Sequence, residues 1–263
     1  MRDGEPTVVS TTPSGTEICY ALGVEPAAVS HQCDFPPGAL NRPVLTRSLD
    51  GGPDDDPYAV DVALLEEVDP DVVVTQTVCG TCAVDEALLE RELGGAADHR
   101  TVPLNARDLE DVYDCIHQVG EAVGRTARAE TVVEQLRDCV AQVNAMTAEA
   151  ESTPRVLVLE WLDPLRAAGN WVPDLVATAN GTMPIGQARE RSTELTWEQV
   201  REVDPDVLVV APCSLTTETA SHRARRLRDK PGWSALSAVR TGRVFALDGS
   251  ILSRWTPRLA GEL

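Results

Sequence analysis

Three features of this chain predict an α/β architecture of two Rossmann-like lobes with parallel sheets, joined by one long interlobe helix. A long amphipathic stretch lies at its middle, strands and helices alternate on either side, and one helix–Asp–Pro–strand unit occurs twice. The middle stretch, residues 127–149, places Val132, Val133, Leu136, Val140, Val143 and Met146 at spacings of three and four, on one side of a helix. Thr126 is suited to cap it, and Ser152-Thr153-Pro154 stops it. At 1.5 Å per residue such a rod is about 35 Å long, roughly the width of a domain. The duplicated unit runs Glu67-Val68-Asp69-Pro70-Asp71-Val72 and again Glu202-Val203-Asp204-Pro205-Asp206-Val207, with Val203 lying 135 residues after Val68. The expected division is an N-terminal lobe at 1–125, a connecting spine at 126–152 and a C-terminal lobe at 153–263.

Taken in order, Thr7-Val8-Val9-Ser10 reads as a buried strand. Ser14 with Glu17 three residues on makes a capping box for a helix ending at Gly23. Residues 27–31 and 43–46 are extended, 49–57 a Gly/Pro/Asp-rich loop, and 58–68 a helix leading into a strand at 71–76. Cys79-Gly80-Thr81-Cys82 follows, then a helix at 84–93, a strand at 101–104 and a helix at 109–123. Past the spine come a strand at 155–160, a helix at 174–179 and a helix at 196–203 feeding a strand at 206–211. An arginine-rich helix around 217–227, a short helix from Pro231 and a strand at 243–247 complete the chain. In open α/β sheets ligands lie beyond the carboxyl ends of the strands, so the loops of both lobes are expected to line one shared cleft.

The 263 residues carry a formal charge of −19, from 42 acidic against 23 basic side chains, and Lys230 is the only lysine. Acidic surfaces with arginine in place of lysine resemble those of salt-adapted proteins; an ordinary acidic protein is the plainer reading. Nucleic acid and anionic membranes are poor partners for such a chain. Seven cysteines, an odd number in a chain this long, suit free thiols or metal ligands better than disulfide staples. The polar start Met1-Arg2-Asp3-Gly4-Glu5-Pro6 does not read as a signal peptide, so a cytoplasmic location is expected, or the cell surface if the native start differs. No apolar run approaches the length of a membrane span.

Four stretches carry a resemblance that covers nearly the whole chain. They are Thr12-Pro13-Ser14-Gly15-Thr16-Glu17, Ser30-His31-Gln32-Cys33-Asp34-Phe35-Pro36-Pro37, the twin Asp-Pro-Asp-Val units and the single middle helix. In these the chain resembles the class III, helical-backbone solute-binding proteins of ABC importers, in their cobalamin-binding branch. It is most similar to a subgroup without export signals, marked by Cys33-Asp34-Phe35-Pro36, the Cys79/Cys82 pair and Leu159-Glu160-Trp161-Leu162-Asp163-Pro164. The resemblance implies a non-enzymatic protein that holds a corrinoid such as cobalamin flat in the interlobe cleft against aromatic side chains. It also implies a partner ABC permease whose arginines meet acidic residues on each lobe. Glu198 matches the second-lobe docking glutamate, Ala63 stands where the first-lobe one falls, with Asp61 and Glu66 nearby, and Gln76 replaces a tryptophan of the cobalamin receptors.

The candidate ligand-binding residues are Ser14, His31, Cys33, Asp34, Phe35, Arg47, Gln76, Trp161, Trp171 and Cys213. His31, Cys33, Cys79, Cys82 and Cys213 all fall at expected strand ends. They read either as small packing residues, as ligands for zinc, iron or cobalt, or, for Cys79 and Cys82, as a redox pair. Only ten residues are aromatic; Trp161 and Trp171 either stack on a flat macrocycle or pack within their own lobe. Asp34 and Glu160 suit corrin amides or loop caps, and Arg47 an anionic group or a surface ion pair. No nucleophile elbow or phosphate loop is present. The alternatives to a corrinoid carrier are a metal or metal-chelate binder using the cleft cysteines, and a cytosolic corrinoid or thiol enzyme.

Overall fold

The duplicated Asp-Pro units organise the computed structural model, which describes residues 4–49, 57–78, 84, 86–93 and 99–260. The chain divides into two units, Met1–Ala106 with Glu110–Gln135, and Arg107–Leu109 with Leu136–Leu263.

Unit 1 runs β1 (Val8–Ser10), α1 (Pro13–Ala21), β2 (Ala28–Val29), β3 (Thr46–Ser48), β4 (Tyr58–Val60), α2 (Val62–Val68), β5 (Val72–Gln76), α3 (Glu86–Leu93), β6 (Arg100–Leu104) and α4 (Leu109–Ala122). Its main sheet has the order β2-β1-β5-β6, parallel throughout, as continuous Val-rich runs require when both faces are covered. Gly15 lets α1 lie against that sheet: a Cβ there would stand 2.5 Å from Val74 Cγ1 and 2.9 Å from Ser10 Oγ.

The sequence expectation of one helix over 58–68 is corrected here. Tyr58 and Val60 are buried in β4, which pairs antiparallel with β3, and the helix starts only after Asp61, whose carboxylate accepts the Leu64 N–H at 3.0 Å. An aromatic and a β-branched residue alternating around Ala59 is a strand pattern, and Asp61 is the stronger helix start. Ser14 is also not a cap: Thr12 holds the cap position without a side-chain hydrogen bond, Pro13 begins the helix, and Ser14 is buried inside its first turn.

The long helix is α5 (Thr126–Thr147), so Thr126 is its first residue rather than the residue before it. The division between the units falls within this helix, at Gln135 and Leu136. Ala129, Val132, Val133 and Leu136 are buried, Val140 and Val143 are half-buried, and Met146 is 84% exposed. The apolar stripe is thus covered over its first three turns and fades towards its end.

Unit 2 contains β7 (Val156–Leu162), β8 (Leu165–Ala167), α6 (Val172–Thr178), β9 (Thr193–Glu194), α7 (Trp197–Val203), β10 (Val207–Val210), α8 (Thr217–Ala224), α9 (Ser237–Arg240), β11 (Val244–Ala246) and α10 (Gly249–Ser253). The sheet order is β11-β10-β7-β8-β9. β7, β10 and β11 are parallel, but β8 and β9 are antiparallel additions that the wholly parallel expectation missed. The short β7–β8 turn at Asp163-Pro164 permits a hairpin where only a crossover had been expected. Arg107–Leu109 belongs with this unit because the Leu109 N–H donates to Asp174 Oδ2 at 3.1 Å and the Arg189 N–H to Arg107 O at 3.0 Å.

The sequence echo is a structural echo. Asp69 and Asp204 both end their helices in the left-handed region, at φ 46° and 43°, each donating its N–H to the carbonyl four residues back, Leu65 and Val200. Aspartate tolerates that conformation, and the proline that follows cannot continue a helix. Two residues on, Asp71 accepts the Thr7 N–H at 2.7 Å and Asp206 the Arg155 N–H at 2.8 Å, each fixing the start of the neighbouring strand.

Candidate functional site

In unit 1 the residues after β2 form a hydrogen-bonded polar cluster with β3 around His31. Its backbone N–H donates to Thr46 Oγ1 at 3.1 Å, and its Nδ1 lies 2.7 Å from the same oxygen. Thr46 in turn donates to Ser30 Oγ at 3.1 Å. With that hydroxyl proton spent, Nδ1 must carry the ring proton, which leaves the lone pair on Nε2, 3.0 Å from Ser48 Oγ. Burial lowers the His31 pKa below its usual value, which favours the neutral ring. Tyr58 covers one side at 5.4 Å between ring centres and accepts from Gln32 Nε2 at 3.1 Å. A neutral imidazole with an oriented second nitrogen is the form that binds a metal centre.

Around this cluster the other candidates part into inward and outward sets. Cys33 is buried with Val29 and Ala39, its Sγ 3.1 Å from Thr16 Oγ1. Ser14 and Gln76 are likewise buried. Beside them Thr11 Oγ1 donates to Thr75 Oγ1 at 3.0 Å, and Thr75 to the Val84 carbonyl at 3.1 Å, tying the ends of β1 and β5 together. Asp34, Arg47 and Phe35 (40% exposed) are turned to the surface. The sequence reading missed Thr46 and Ser48 as the partners of His31. Their period-two spacing on one strand, which puts both side chains on one face, was the available signal.

In unit 2, Trp161 is half-buried at the end of β7, opposite Arg166, and its indole N–H donates to Asp163 O at 2.9 Å within the hairpin. Trp171 is packed within its own unit: it is 4% exposed, its N–H donates to Leu252 O at 2.9 Å, and it meets Trp255 edge-on at 5.3 Å. The Trp255 Nε1 is buried without a hydrogen-bond partner among the described residues. Cys213 is half-buried, and its N–H donates to Glu160 O at 3.1 Å, joining the ends of β7 and β10. Glu198 is exposed in the first turn of α7, which begins with a full capping box between Thr196 and Gln199.

Cys79 and Cys82 lie outside the described residues. Among the described residues no group of three or more His, Cys, Asp and Glu side chains is placed to hold a metal ion. Burial pushes the Cys19 and Cys115 thiols up to about 12, which makes them inert as ligands. No helix among the described residues is long and apolar enough to cross a membrane.

Comparison with known proteins gives the same architecture a family. The sequence profile of the family described as periplasmic binding protein matches residues 8–251. An uncharacterized ABC transporter substrate-binding lipoprotein, YvrC of Bacillus subtilis, is 23% identical over 260 residues, 96% of this chain and 76% of that protein. The vitamin B12-binding protein of Vibrio cholerae is 25% identical over 259 residues, 95% of this chain and 84% of that one. The crystal structure of a periplasmic heme-binding protein from Pseudomonas aeruginosa superposes with a TM-score of 0.75 at 24% identity, covering 98% of this chain and 90% of that chain. Proteins of this kind bind substrate for a transporter and are not enzymes. The chain belongs to the periplasmic binding protein family, as a solute-binding protein of the ABC-importer type.

Proposed function

We propose that this chain is the corrinoid receptor of an ABC importer, with cobalamin as its cargo. The observation that carries the reading is the likeness to a vitamin B12-binding protein along 95% of the chain, at 25% identity. The polar cluster supports it: Nε2 of a neutral His31, held by Thr46 and Ser48, is a nitrogen donor suited to the axial position of a cobalt corrinoid. Phe35, exposed on the loop after β2, is an apolar face suited to a flat ring, and Trp161, half-buried at the end of β7, is another within its own unit. Glu198, exposed on α7, is assigned to a permease arginine.

The test is incubation of the whole chain with hydroxocobalamin, desalting, and a visible spectrum of the protein fraction. Retained red colour at one corrinoid per chain supports the reading. His31→Ala is expected to abolish the spectral shift that marks nitrogen ligation while leaving weaker binding. Free hemin run in parallel tests the second reading, a different metal chelate, which the heme-binding structural relative favours. Retention of hemin without cobalamin would replace the corrinoid assignment.

A further inference from the structure

The sheet of unit 2 has β11 as an edge strand. Among the described residues β11 pairs only with β10, in the register Leu208 to Val244, Val209 to Phe245 and Val210 to Ala246. Leu208 donates to Arg243 O and Leu247 donates to Val210 O, each at 3.0 Å. In a parallel pair the groups facing the neighbour alternate, so residues 243, 245 and 247 turn their backbone towards β10. The N–H and C=O of Val244 and Ala246 therefore face away from the sheet, and neither residue has another hydrogen-bond partner among the described residues. Phe245 on the strand is 50% exposed, and Leu247 just after it is 38% exposed. Exposed edges with apolar side chains invite another strand, and folded proteins ordinarily cover or charge them.

Alongside this edge runs a groove of about 450 Å³, lined by the apolar Trp233, Val239 and Ala224 and by Arg225 and Arg228. The arginines belong to His222-Arg223-Ala224-Arg225-Arg226-Leu227-Arg228-Asp229-Lys230, a basic island in a chain of net charge −19. Arg223, Arg225, Arg226 and Arg228 have no ion-pair partner among the described residues, although carboxylates outnumber cations 42 to 23. Unpaired guanidinium groups beside an open row of backbone donors and acceptors complement one shape and one charge.

We propose that this groove docks an extended acidic segment of a partner protein, which adds as a strand to β11 while its carboxylates meet Arg225 and Arg228. Main-chain pairing at Val244 and Ala246 supplies affinity, and the arginines select acidic over neutral or basic segments. The site lies wholly within unit 2 and does not depend on the identity of the cargo.

A fluorescein-labelled peptide of alternating Glu and Val, with a Lys–Val peptide as its control, tests this by anisotropy against the full-length chain. The Glu–Val peptide is expected to saturate, the Lys–Val peptide not to bind, and rising salt to weaken the complex. The R225Q/R228Q pair, on an exposed turn, should lower affinity about tenfold or more without moving the thermal midpoint. Val244→Pro removes an outward N–H but no bond to β10, and should lower affinity by a similar factor. Hydrogen exchange reads the same pairing without a variant: the Val244 and Ala246 amides should gain protection when the Glu–Val peptide is added. Absence of Glu–Val binding overturns the proposal. So does loss of binding in R225Q/R228Q with full binding in Val244→Pro and unchanged exchange at both amides, because the arginines would then act as counter-charge alone.

Discussion

Removing the Asp206 carboxylate tests whether the duplicated unit works by pinning the start of the neighbouring strand. Asp206 Oδ2 accepts the Arg155 backbone N–H at 2.8 Å and its Nε at 3.1 Å, while Oδ1 accepts Nη2 at 3.1 Å. The backbone bond to a charged acceptor is worth about 1.5–3 kcal/mol. The ion pair adds little, about 0.2–1 kcal/mol, because the Arg155 and Asp206 side chains are 44% and 33% exposed and water screens them. With the low end taken for both, Asp206→Ala should cost about 2 kcal/mol, or a fall of about 4–8 °C in Tm. Arg155→Met keeps the backbone bond and loses the ion pair together with the exposed Nη1 bond to Val203 O at 2.7 Å, so it should cost about 1 kcal/mol or less. Asp71→Ala, where the carboxylate serves the Thr7 N–H at 2.7 Å, should fall near the Asp206 value without its sensitivity to salt. Urea titrations of all three at two salt concentrations make the comparison. The Arg155 side chain, then the Arg155 backbone N–H, hold the Asp206 carboxyl below its usual range. Its contribution is therefore complete above the unfolded value of about 3.9 and is lost as pH falls through the lower folded value. The gap between wild type and Asp206→Ala should close in the same acid window. If Arg155→Met costs as much as Asp206→Ala, the ion pair and not the strand-start bond carries the unit, and the reasoning fails.

Two further predictions follow from packing. Gly15→Ala places a methyl 2.5 Å from Val74 Cγ1 and should cost about 1–3 kcal/mol, with part of the loss recovered in a Val74→Ala background; equal stability of Gly15→Ala and wild type in urea would contradict the close approach of α1 to the sheet. Cys19 and Cys115, buried and pushed up to about 12, should escape iodoacetamide in native buffer at pH 8 and react fully in guanidinium, as read by peptide mass spectrometry; native modification at either site would contradict their burial.

What the sequence made legible was periodic or repeated, and what it hid depended on partners distant along the chain. The strand runs at Val8, Val72 and Val207 and the long helix were readable because alternation and 3.6-residue spacing need no knowledge of what covers them. Met146 kept the right spacing yet ended 84% exposed, since periodicity says which side of a helix is apolar and not how far its cover extends. Ser14 has the composition of a cap, but Pro13 takes the first helical position and pushes it inside. The site candidates were harder still. His31 was found as a histidine at a strand end, whereas its ring partners Thr46 and Ser48 reach it only because Val29 and Leu45 bond side by side, and its lowered pKa comes from burial. Trp161 and Trp171, alike in sequence, separate because one indole bonds within its own hairpin and the other reaches Leu252, 81 residues away.

The two copies of the Asp-Pro unit also show which positions folding holds fixed and which it leaves to function. Asp61 and Thr196 stand 135 residues apart in the same place, and each caps its helix through the N–H three residues on, by different chemistry. Leu65 and Val200 are both buried, Asp69 and Asp204 both left-handed, and Asp71 and Asp206 both bonded to the start of a neighbouring strand. Between these fixed points two exposed pairs have diverged, Ala63 against Glu198 and Glu66 against Arg201, while Glu67 and Glu202, also exposed, are the same. An exposed helical position contributes little to stability whichever residue fills it, so folding alone does not account for a glutamate in one copy and an alanine in the other. Docking accounts for it if Glu198 is the contact and Glu66, one turn further along its own helix, takes the part that Ala63 cannot. Ala63→Glu should then strengthen coupling to the cognate permease, read as stimulated ATP hydrolysis in reconstituted vesicles, whereas Glu198→Lys should abolish it with cargo affinity unchanged. A Glu198→Lys chain that still stimulates at full rate would return the divergence of the two helices to drift.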